Sequence, residues 1–449
     1  MVIMGITKAI KPILILSILY LVFRSLFSFP IFSDENIYIN MAKAVKEGLL
    51  PYRDFFYAHP PFQLLLFQPV LLLFGANFFA VKVFMVLLSV GTAILTYLIA
   101  KHLFGEKAAF YSFLFFLFFP AFLIFSNQAL GMFESLFFLL SGFYFLIKKK
   151  PIVSSVFLVA AIFTRYLAIL LLPFLLYYLY SHDKKLLPRF AEFLILAVLL
   201  TGVAFTAFFG ENFLVDTVAY HAQANISGKI GIARWLDQYL VLGFFTTFLS
   251  FVAIAFALMK KERKILLFGG YPLLYDILVL LGFKAVTYHY FLLVLPFLFM
   301  AVGAAFAKSS TVRAPIAIML AFSIIANASN IAFYLDESNH RVFPELAAFV
   351  KEIKENLDTE DTISGESRSV NYVSFVTGAK IANNYFDFDF KFVNFAGREK
   401  IFSNVAKTKP KLIVIENKFS SIGNFKGNYT FVSKWEIPNY YSLSLYKLA

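Results

Sequence analysis

The chain has 449 residues, of which 60% are hydrophobic, 19% are aromatic and 15% are charged. A soluble domain is typically about 45–50% apolar and about 25% charged, so this composition excludes an ordinary water-soluble globule and a disordered chain. The lack of cysteine excludes disulfide scaffolds and thiolate metal sites. We therefore expect a polytopic membrane protein.

The net charge of +13 lies almost entirely in the hydrophobic part of the sequence. Residues 336–449 carry 15 basic and 14 acidic side chains, whereas the preceding residues carry 25 basic and 13 acidic ones. Basic residues that lie between apolar segments orient a protein in a membrane. We therefore expect membrane lipids, and no nucleic acid, as partners.

Hydropathy predicts about eleven membrane-spanning helices. Arg165 divides one predicted segment into two short pieces, which indicates a hairpin. Alternate connections, starting with Lys8 and Lys11, contain 16 Lys and Arg, and the opposite loops contain 7. This asymmetry predicts a multi-pass protein of the cell membrane with a cytoplasmic N-terminus and an extracytoplasmic C-terminal domain. The predicted spans lie near residues 12–32, 78–100, 108–125, 129–147, 152–166, 168–181, 190–209, 236–259, 265–282, 288–306 and 314–334.

Two domains are expected from the change in composition near residue 335. Residues 1–335 would form the membrane domain, with a first outer loop at 33–77, and residues 336–449 would form a small α/β domain. In the latter, Pro344 to Leu357 has apolar residues at helical spacing, whereas KLIVIE and YSLSLY, at 411–416 and 441–446, are typical of strands.

The first outer loop begins with adjacent carboxylates, Asp34 and Glu35, where the first predicted span leaves the membrane. One interpretation is structural: Ser33 or Asp34 caps a helix that runs to about Gly48, and acids favour its first turn. The other is chemical, because a carboxylate at the edge of a membrane cavity can act as a general base. The apolar stretch 62–74 is too short to span and is expected to lie in the interface.

The order of these groups resembles a known family. An Asp-Glu pair after the first span, then an aromatic-rich stretch and His59-Pro60-Pro61, resembles the first outer loop of the protein O-mannosyltransferases. The layout is also similar to the bacterial transferases that add aminoarabinose to lipid A. Both are GT-C glycosyltransferases, which take a sugar from a polyprenyl phosphate on the outer membrane face. Further similar stretches are FGANFFAVKVF (Phe74–Phe84), FTRYLAILLLP (Phe163–Pro173) and YHYFLLVLPF (Tyr288–Phe297).

The resemblance implies a reaction. The donor would be a sugar on dolichyl or undecaprenyl phosphate, and the acceptor would be a hydroxyl group of a protein, a lipid or a glycan. Transfer would be a single displacement with inversion, with Asp34 as base and Glu35 as the orienting acid. No cofactor is implied. A single acidic pair offers few ligands for a divalent metal ion, so we expect that no metal is required.

The leaving phosphate needs a preorganised cation, for which Arg165 is the leading candidate. An arginine between two short segments in the outer leaflet is costly without a partner, although it could instead extend to the headgroups. Arg24 and Lys82 also lie near the outer leaflet and could pair with acids.

Other polar residues are expected near the same membrane face. The residues assigned to the donor phosphate or sugar could alternatively have structural roles, as structural histidines or as partners in a structural hydrogen bond. The acceptor-side residues belong to the segment Gly210 to Trp235, which could equally be an ordinary solvated loop. The donor-side candidates are His59, Glu134, Tyr288 and His289, and the acceptor-side candidates are His221 and Arg234.

Two other functions compete with glycosyl transfer. A transporter or lipid flippase would place polar groups near the bilayer centre, and we find no inverted repeat. A membrane scaffold would make Asp34 and Glu35 dispensable. Asp387-Phe388-Asp389 resembles the Asp-x-Asp of nucleotide-sugar enzymes, but its alternating sequence, FDFDFKF, predicts a half-buried strand.

Overall fold

The computed structural model describes residues 2–28, 33–227, 243–282, 287–335, 338–358, 360–388, 390–416, 429–437 and 441–449. These residues form two compact units, and each unit draws on separate stretches of the chain. Unit 1 comprises Met1–Ser28, Lys82–Val203 and Ser227–Ala332, and unit 2 comprises Phe29–Val81, Ala204–Ile226 and Phe333–Ala449.

Helices make up most of the described chain. Two 3₁₀ segments, Tyr166–Leu171 and Tyr288–Val294, and a π-helical segment, Val215–Ala219, join neighbouring helices. A further 3₁₀ turn covers Ala382–Asn384. The α-helices up to residue 209 are α1 (Val2–Leu26), α2 (Asp34–Lys46), α3 (Phe62–Leu66), α4 (Gln68–Phe74), α5 (Phe78–Phe104), α6 (Glu106–Phe118), α7 (Pro120–Phe125), α8 (Met132–Ile147), α9 (Pro151–Ile162), α10 (Leu172–His182) and α11 (Leu187–Phe209).

The remaining helices continue through both units. They are α12 (Asn212–Leu214), α13 (Tyr220–Ser227), α14 (Phe244–Lys260), α15 (Arg263–Gly282), α16 (Leu295–Lys308), α17 (Arg313–Ala326), α18 (Ala328–Leu335), α19 (Ser338–Glu355), α20 (Ser367–Thr377), α21 (Phe390–Ala396) and α22 (Arg398–Thr408).

The apolar segments identified by hydropathy are mostly helical where the structure describes them, with breaks at residues 27–28, 119, 129–131, 163–165 and 327. Among the described residues, four helices are long and apolar enough to cross a membrane: Phe78–Phe104, Leu187–Phe209, Arg263–Gly282 and His289–Lys308. The predicted division at Arg165 is confirmed, because α9 ends at Ile162 and a 3₁₀ segment begins at Tyr166. The total of eleven crossings stays a prediction.

Unit 1 has a core of aromatic rings contributed by different helices. Phe143, Phe174, Phe268 and Phe297 come from α8, α10, α15 and α16, and every pair of their ring centroids lies 4.9 to 6.1 Å apart. Helices α6 and α16 approach more closely than these large side chains would allow. A Cβ atom at Gly303 would lie 2.4 Å from the Oγ of Ser112, so glycine permits this contact.

Unit 2 contains a five-stranded sheet from the C-terminal part of the chain. Its strands are β1 (Thr362–Gly365), β2 (Lys380–Ile381), β3 (Leu412–Glu416), β4 (Tyr429–Ile437) and β5 (Tyr441–Leu448). The order is β2-β1-β3-β5-β4; β1 pairs in parallel with β2 and β3, and β5 runs antiparallel to β3 and β4. Strand β3 is buried along its whole length. The two strands predicted from sequence are confirmed, and so is the amphipathic helix, which is part of α19.

The first outer loop packs into the core of this same unit. Phe56 lies against the cluster that includes Phe388, Phe392 and Ile413. The rings of Phe56 and Phe392 are 4.6 Å apart between centroids, and those of Phe55 and Phe386 are 5.2 Å apart. The outer loop and the C-terminal residues therefore share one hydrophobic core.

Two sequence-based interpretations are wrong. The FDFDFKF run does not form a strand in the part that the structure describes, because residues 385–388 are irregular and Phe390–Ala396 is helical. Phe388 packs in a core formed by residues of α21, α22 and strand β3, and this burial explains the apolar residues of the run as well as a strand would. The segment after Gly210 is not a solvated loop up to Ser227, since it forms α12, a π-helical segment and α13.

Candidate functional site

Asp34 lies in the first turn of α2. The N-cap is Ser33, whose side chain accepts from the backbone N–H of Glu35, so the carboxylate of Asp34 is not used for capping. The Asp34 side chain is 47% exposed, and its Oδ1 accepts a hydrogen bond of 3.1 Å from the Nε of Arg368. Glu35, in contrast, is fully buried within unit 2. The adjacent carboxylates therefore occupy different environments.

His59 lies in a turn that several side chains hold in place. Its Nε2 shares a hydrogen bond of 3.0 Å with the hydroxyl of Tyr38, which lies one helical turn after Asp34 on α2. The hydroxyl of Tyr52 donates to the carbonyl oxygen of His59 at 2.6 Å, and Asn212 donates to the carbonyl oxygen of Tyr52. Helix α2 thus carries Asp34 and also a residue that orients His59.

His221 packs directly against His59. The two rings are stacked, with centroids 5.3 Å apart, and the Nε2 of His221 lies 2.7 Å from the carbonyl oxygen of Ala58. Because a carbonyl oxygen can only accept, Nε2 carries a hydrogen. His221 was assigned to the acceptor side from sequence, and the structure places it beside the donor-side candidate His59.

Asp216 belongs to the same cluster and was missed as a site residue. It lies in the π-helical segment and is buried. Burial raises the pKa of its carboxyl to about 7, although a hydrogen bond from the backbone N–H of Tyr57 opposes that rise. Short π-helical segments are often found at functional sites, but the sequence offers no signal for one here.

Arg165 lies in unit 1 and is 4% exposed. Its Nε donates to the carbonyl oxygen of Leu130 at 2.9 Å, and its Nη2 donates to the same oxygen. Gly131, which follows Leu130 in the chain, has φ +80°, and a Cβ atom at Gly131 would lie 2.1 Å from the Nε of Arg165. The guanidinium is therefore buried against a turn rather than extended to the surface.

The remaining candidates of unit 1 are distributed along the chain. Glu134 is fully buried in the first turn of α8, three residues after Gly131, where a negative charge suits the helix dipole. The Nε2 of His289 lies 2.9 Å from the hydroxyl of Thr287. Tyr288 begins a 3₁₀ segment, and its side chain lies outside what the structure describes. Arg234 lies outside the described residues.

The buried basic residues Arg24 and Lys82 also belong to unit 1. Arg24 donates to the carbonyl oxygens of Phe27, Leu123 and Ile124 and to the Oδ1 of Asn127. Lys82 is fully buried. Within the described ranges, no three His, Asp or Glu side chains are grouped so that they could hold a metal ion. The independence from metal stays a prediction.

Comparison with known proteins identifies a family resemblance within the sequence. Residues 58–208 match the family described as dolichyl-phosphate-mannose-protein mannosyltransferase. The match includes His59 and Arg165 and begins after Asp34. No curated protein matches the chain at a significant level.

Solved structures resemble the chain over nearly its whole length. ArnT from Cupriavidus metallidurans bound to undecaprenyl phosphate has a TM-score of 0.67 at 13% identity, covering 98% of this chain and 98% of ArnT. ArnT in the apo state has a TM-score of 0.59 at 13% identity, with the same coverage of both chains. The apo oligosaccharyltransferase of Archaeoglobus fulgidus has a TM-score of 0.56 at 11% identity, covering 91% of this chain and 69% of that one. The chain is therefore a multi-pass membrane protein with the GT-C fold of ArnT, and its residues 58–208 resemble the dolichyl-phosphate-mannose-protein mannosyltransferases.

Proposed function

We propose that this protein is a membrane glycosyltransferase that moves a sugar from a polyprenyl phosphate to an acceptor hydroxyl on the outer membrane face. The observation that carries the proposal is the position of Asp34, a half-exposed carboxylate in the first turn of α2, in a chain with the fold of ArnT. The ArnT structure contains undecaprenyl phosphate, and the matching sequence family is described by dolichyl phosphate mannose. Both lipids are polyprenyl phosphates.

Asp34 acts as the general base in this proposal. Its carboxylate takes the proton of the acceptor hydroxyl while the hydroxyl oxygen attacks the anomeric carbon. The bond between that carbon and the phosphate oxygen breaks, and the lipid phosphate leaves with the electron pair. Attack opposite the leaving group inverts the anomeric configuration. Buried Glu35 is the orienting acid of the pair.

The donor phosphate gains negative charge as it leaves, so cationic groups must already be in place. We assign this role to Arg165, whose guanidinium can donate several hydrogen bonds and is held by the carbonyl oxygen of Leu130. His59 is the second candidate. Its turn is held by Tyr38, Tyr52 and His221, which limits the loss of conformational entropy when a ligand binds.

The lipid tail needs an apolar surface at the membrane boundary. The short helix α4 supplies one in unit 2, since Leu72, Leu73 and Phe74 are 69%, 77% and 62% exposed. Such a segment is stable when its apolar face contacts lipid. This supports the placement of α3 and α4 in the membrane interface, next in sequence to the His59 turn.

Replacement of Asp34 by Asn tests the proposal. We expect Asp34→Asn to lower kcat by about 10²–10⁴-fold because the amide cannot accept the proton of the acceptor. The measurement is mass spectrometry of products formed by purified protein from a panel of polyprenyl-phosphate sugars and hydroxyl acceptors. Glu47→Gln, at the other end of α2, is the matched control and should retain activity.

The outcomes separate the competing functions. Transfer by wild type and Glu47→Gln but not by Asp34→Asn supports the proposal. Wild-type turnover by Asp34→Asn removes the assigned base. If folded wild-type protein transfers no sugar from any lipid donor in the panel, the proposed enzymatic function is refuted.

A further inference from the structure

Arg368 brings the C-terminal part of the chain to Asp34. It is the second residue of α20, and it lies 334 positions after Asp34 in the sequence. Its Nε donates to the Oδ1 of Asp34 at 3.1 Å within unit 2. Neither Arg368 nor any other residue of the C-terminal domain was among the candidates predicted from the sequence.

Helices α2 and α20 run side by side and in the same direction. Asn36, Asn40 and Lys43 follow helical spacing along one face of α2 and contact successive turns of α20. Asn36, Asn40 and Asn371 are at most 2% exposed, so these contacts are shielded from water. The contacts are Asn36 Nδ2 to the Arg368 carbonyl oxygen at 3.1 Å, Asn40 Nδ2 to Asn371 Oδ1 at 2.9 Å, and Lys43 Nζ to the Ser374 carbonyl oxygen at 3.2 Å.

These contacts fix the backbone of Arg368 relative to α2. The same residue therefore meets α2 twice, through its carbonyl oxygen at Asn36 and through its guanidinium at Asp34. Because its backbone is already fixed, the Arg368 side chain can hold the Asp34 carboxylate in one rotamer with a small loss of conformational entropy. The position of the Asp34 carboxylate thus depends on α20.

The ion pair itself contributes little to folding. The side chains of Asp34 and Arg368 are 47% and 43% exposed, and an exposed pair typically stabilises a protein by about 0–1 kcal/mol. Its main physical consequence is therefore geometric. The hydrogen bond to Nε engages Oδ1, and the second oxygen, Oδ2, is not part of that contact.

We propose that Arg368 is a positioning residue, which holds the carboxylate of Asp34 so that Oδ2 can take the proton of the acceptor. The inference rests on the proposed function. Two effects oppose each other here: the cation stabilises the ground-state carboxylate, which slows proton transfer, and it fixes the geometry of the base, which accelerates the reaction. The buried anchoring of α20 indicates that the geometric effect is the larger one.

Kinetics of Arg368 variants test the inference. We expect Arg368→Gln to lower kcat by about tenfold or more, because a misplaced base loses much of its effect, and to leave the KM for the donor within about twofold of wild type because Arg368 does not bind the donor. Arg368→Lys keeps the charge and one donor and should recover at least half of the lost kcat on a logarithmic scale. Lys380→Gln, which breaks the exposed pair with Glu360 on the same domain, is the control and should not change kcat.

Each outcome decides the question. Wild-type kcat in Arg368→Gln, or a higher kcat, overturns the positioning role, and an increase would show that the contact is inhibitory. If Arg368→Gln misfolds, Arg368→Lys provides the same test: its change in kcat relative to wild type should exceed its change in donor KM. Activity of wild type with loss in Asp34→Asn but not in Arg368→Gln rejects this inference alone, whereas absence of transfer by wild type rejects the proposed function.

Discussion

Asp216 is a carboxylate in an unfavourable place for its charge. Its side chain is buried beside the turn that carries His59, and it accepts one backbone hydrogen bond, from Tyr57. Burial raises the pKa of the carboxyl from 3.8 to about 7. The folded protein therefore binds more protons than the unfolded chain between about pH 4 and pH 7, so this group makes the folded state less stable as the pH rises through that range.

Replacement of Asp216 by Asn should remove this pH dependence. The amide oxygen of Asn can still accept from the N–H of Tyr57, and the side chain carries no charge to desolvate. We expect the Tm of Asp216→Asn to exceed that of wild type by about 3 °C at pH 8 and the difference to shrink toward pH 5. Thermal unfolding in detergent at both pH values measures this, and a constant difference between the two curves would contradict it.

The turn before α8 depends on a glycine and an arginine together. Gly131 has a left-handed backbone conformation, and Arg165 occupies the space where a side chain would lie. The hydrogen bonds of Arg165 to Leu130 then fix the start of α8, which carries Glu134. Gly131 is therefore needed for two reasons: its left-handed backbone conformation, and the space that the distant residue Arg165 occupies beside it.

Gly131→Ala should disturb Arg165 as well as the backbone. Gly378 has φ +82° and ψ −2°, close to the φ +80° and ψ −7° of Gly131, and has open space around it, so Gly378→Ala introduces comparable backbone strain, about 1–2 kcal/mol, without the clash. We expect Gly131→Ala to lower the Tm further than Gly378→Ala and to raise the donor KM, because the guanidinium must move. Equal effects of the two substitutions on Tm and on donor KM would show that the position of Arg165 does not matter.

Unit 2 is assembled from three separate stretches of the chain. The first outer loop supplies Phe55, Phe56 and α2, and the C-terminal stretch supplies the sheet and the helices that cover them. Residues 336–449 were predicted as a separate domain from their composition. Their aromatic and polar contacts with residues 34–56 make the outer loop part of the same folded body.

Truncation after Leu335 should therefore damage the outer loop. Removal of the C-terminal stretch exposes Phe55 and Phe56 and leaves the buried face of α2, including Asn40, without its partners. We expect rapid proteolytic cleavage between residues 47 and 61 in the truncated protein and slow cleavage there in the full chain. Limited proteolysis with mass spectrometry measures this. Equal protection in both proteins would show that the outer loop folds without the C-terminal stretch.

The membrane-protein class and most of the local structure could be predicted from the amino-acid sequence alone. Long apolar segments can be recognised because the hydrocarbon core of a membrane selects for length and composition, both of which are local properties. The same holds for the interruption at Arg165 and for strands β3 and β5. The order of the Asp-Glu pair and the His-Pro-Pro turn along the chain carries the family resemblance from which the proposed chemistry comes.

Which of these groups contact one another became known from the folded structure. Arg368 reaches Asp34 across 334 residues, and His221 stacks on His59 across 162, although neither pairing has a local signal. The alternating FDFDFKF run was misassigned for a related reason, because a segment that packs against helices and a strand of the core needs the same apolar residues as a segment that is itself a strand. Side-chain periodicity reports how a segment is buried, and the identity of the partner depends on contacts between distant parts of the chain.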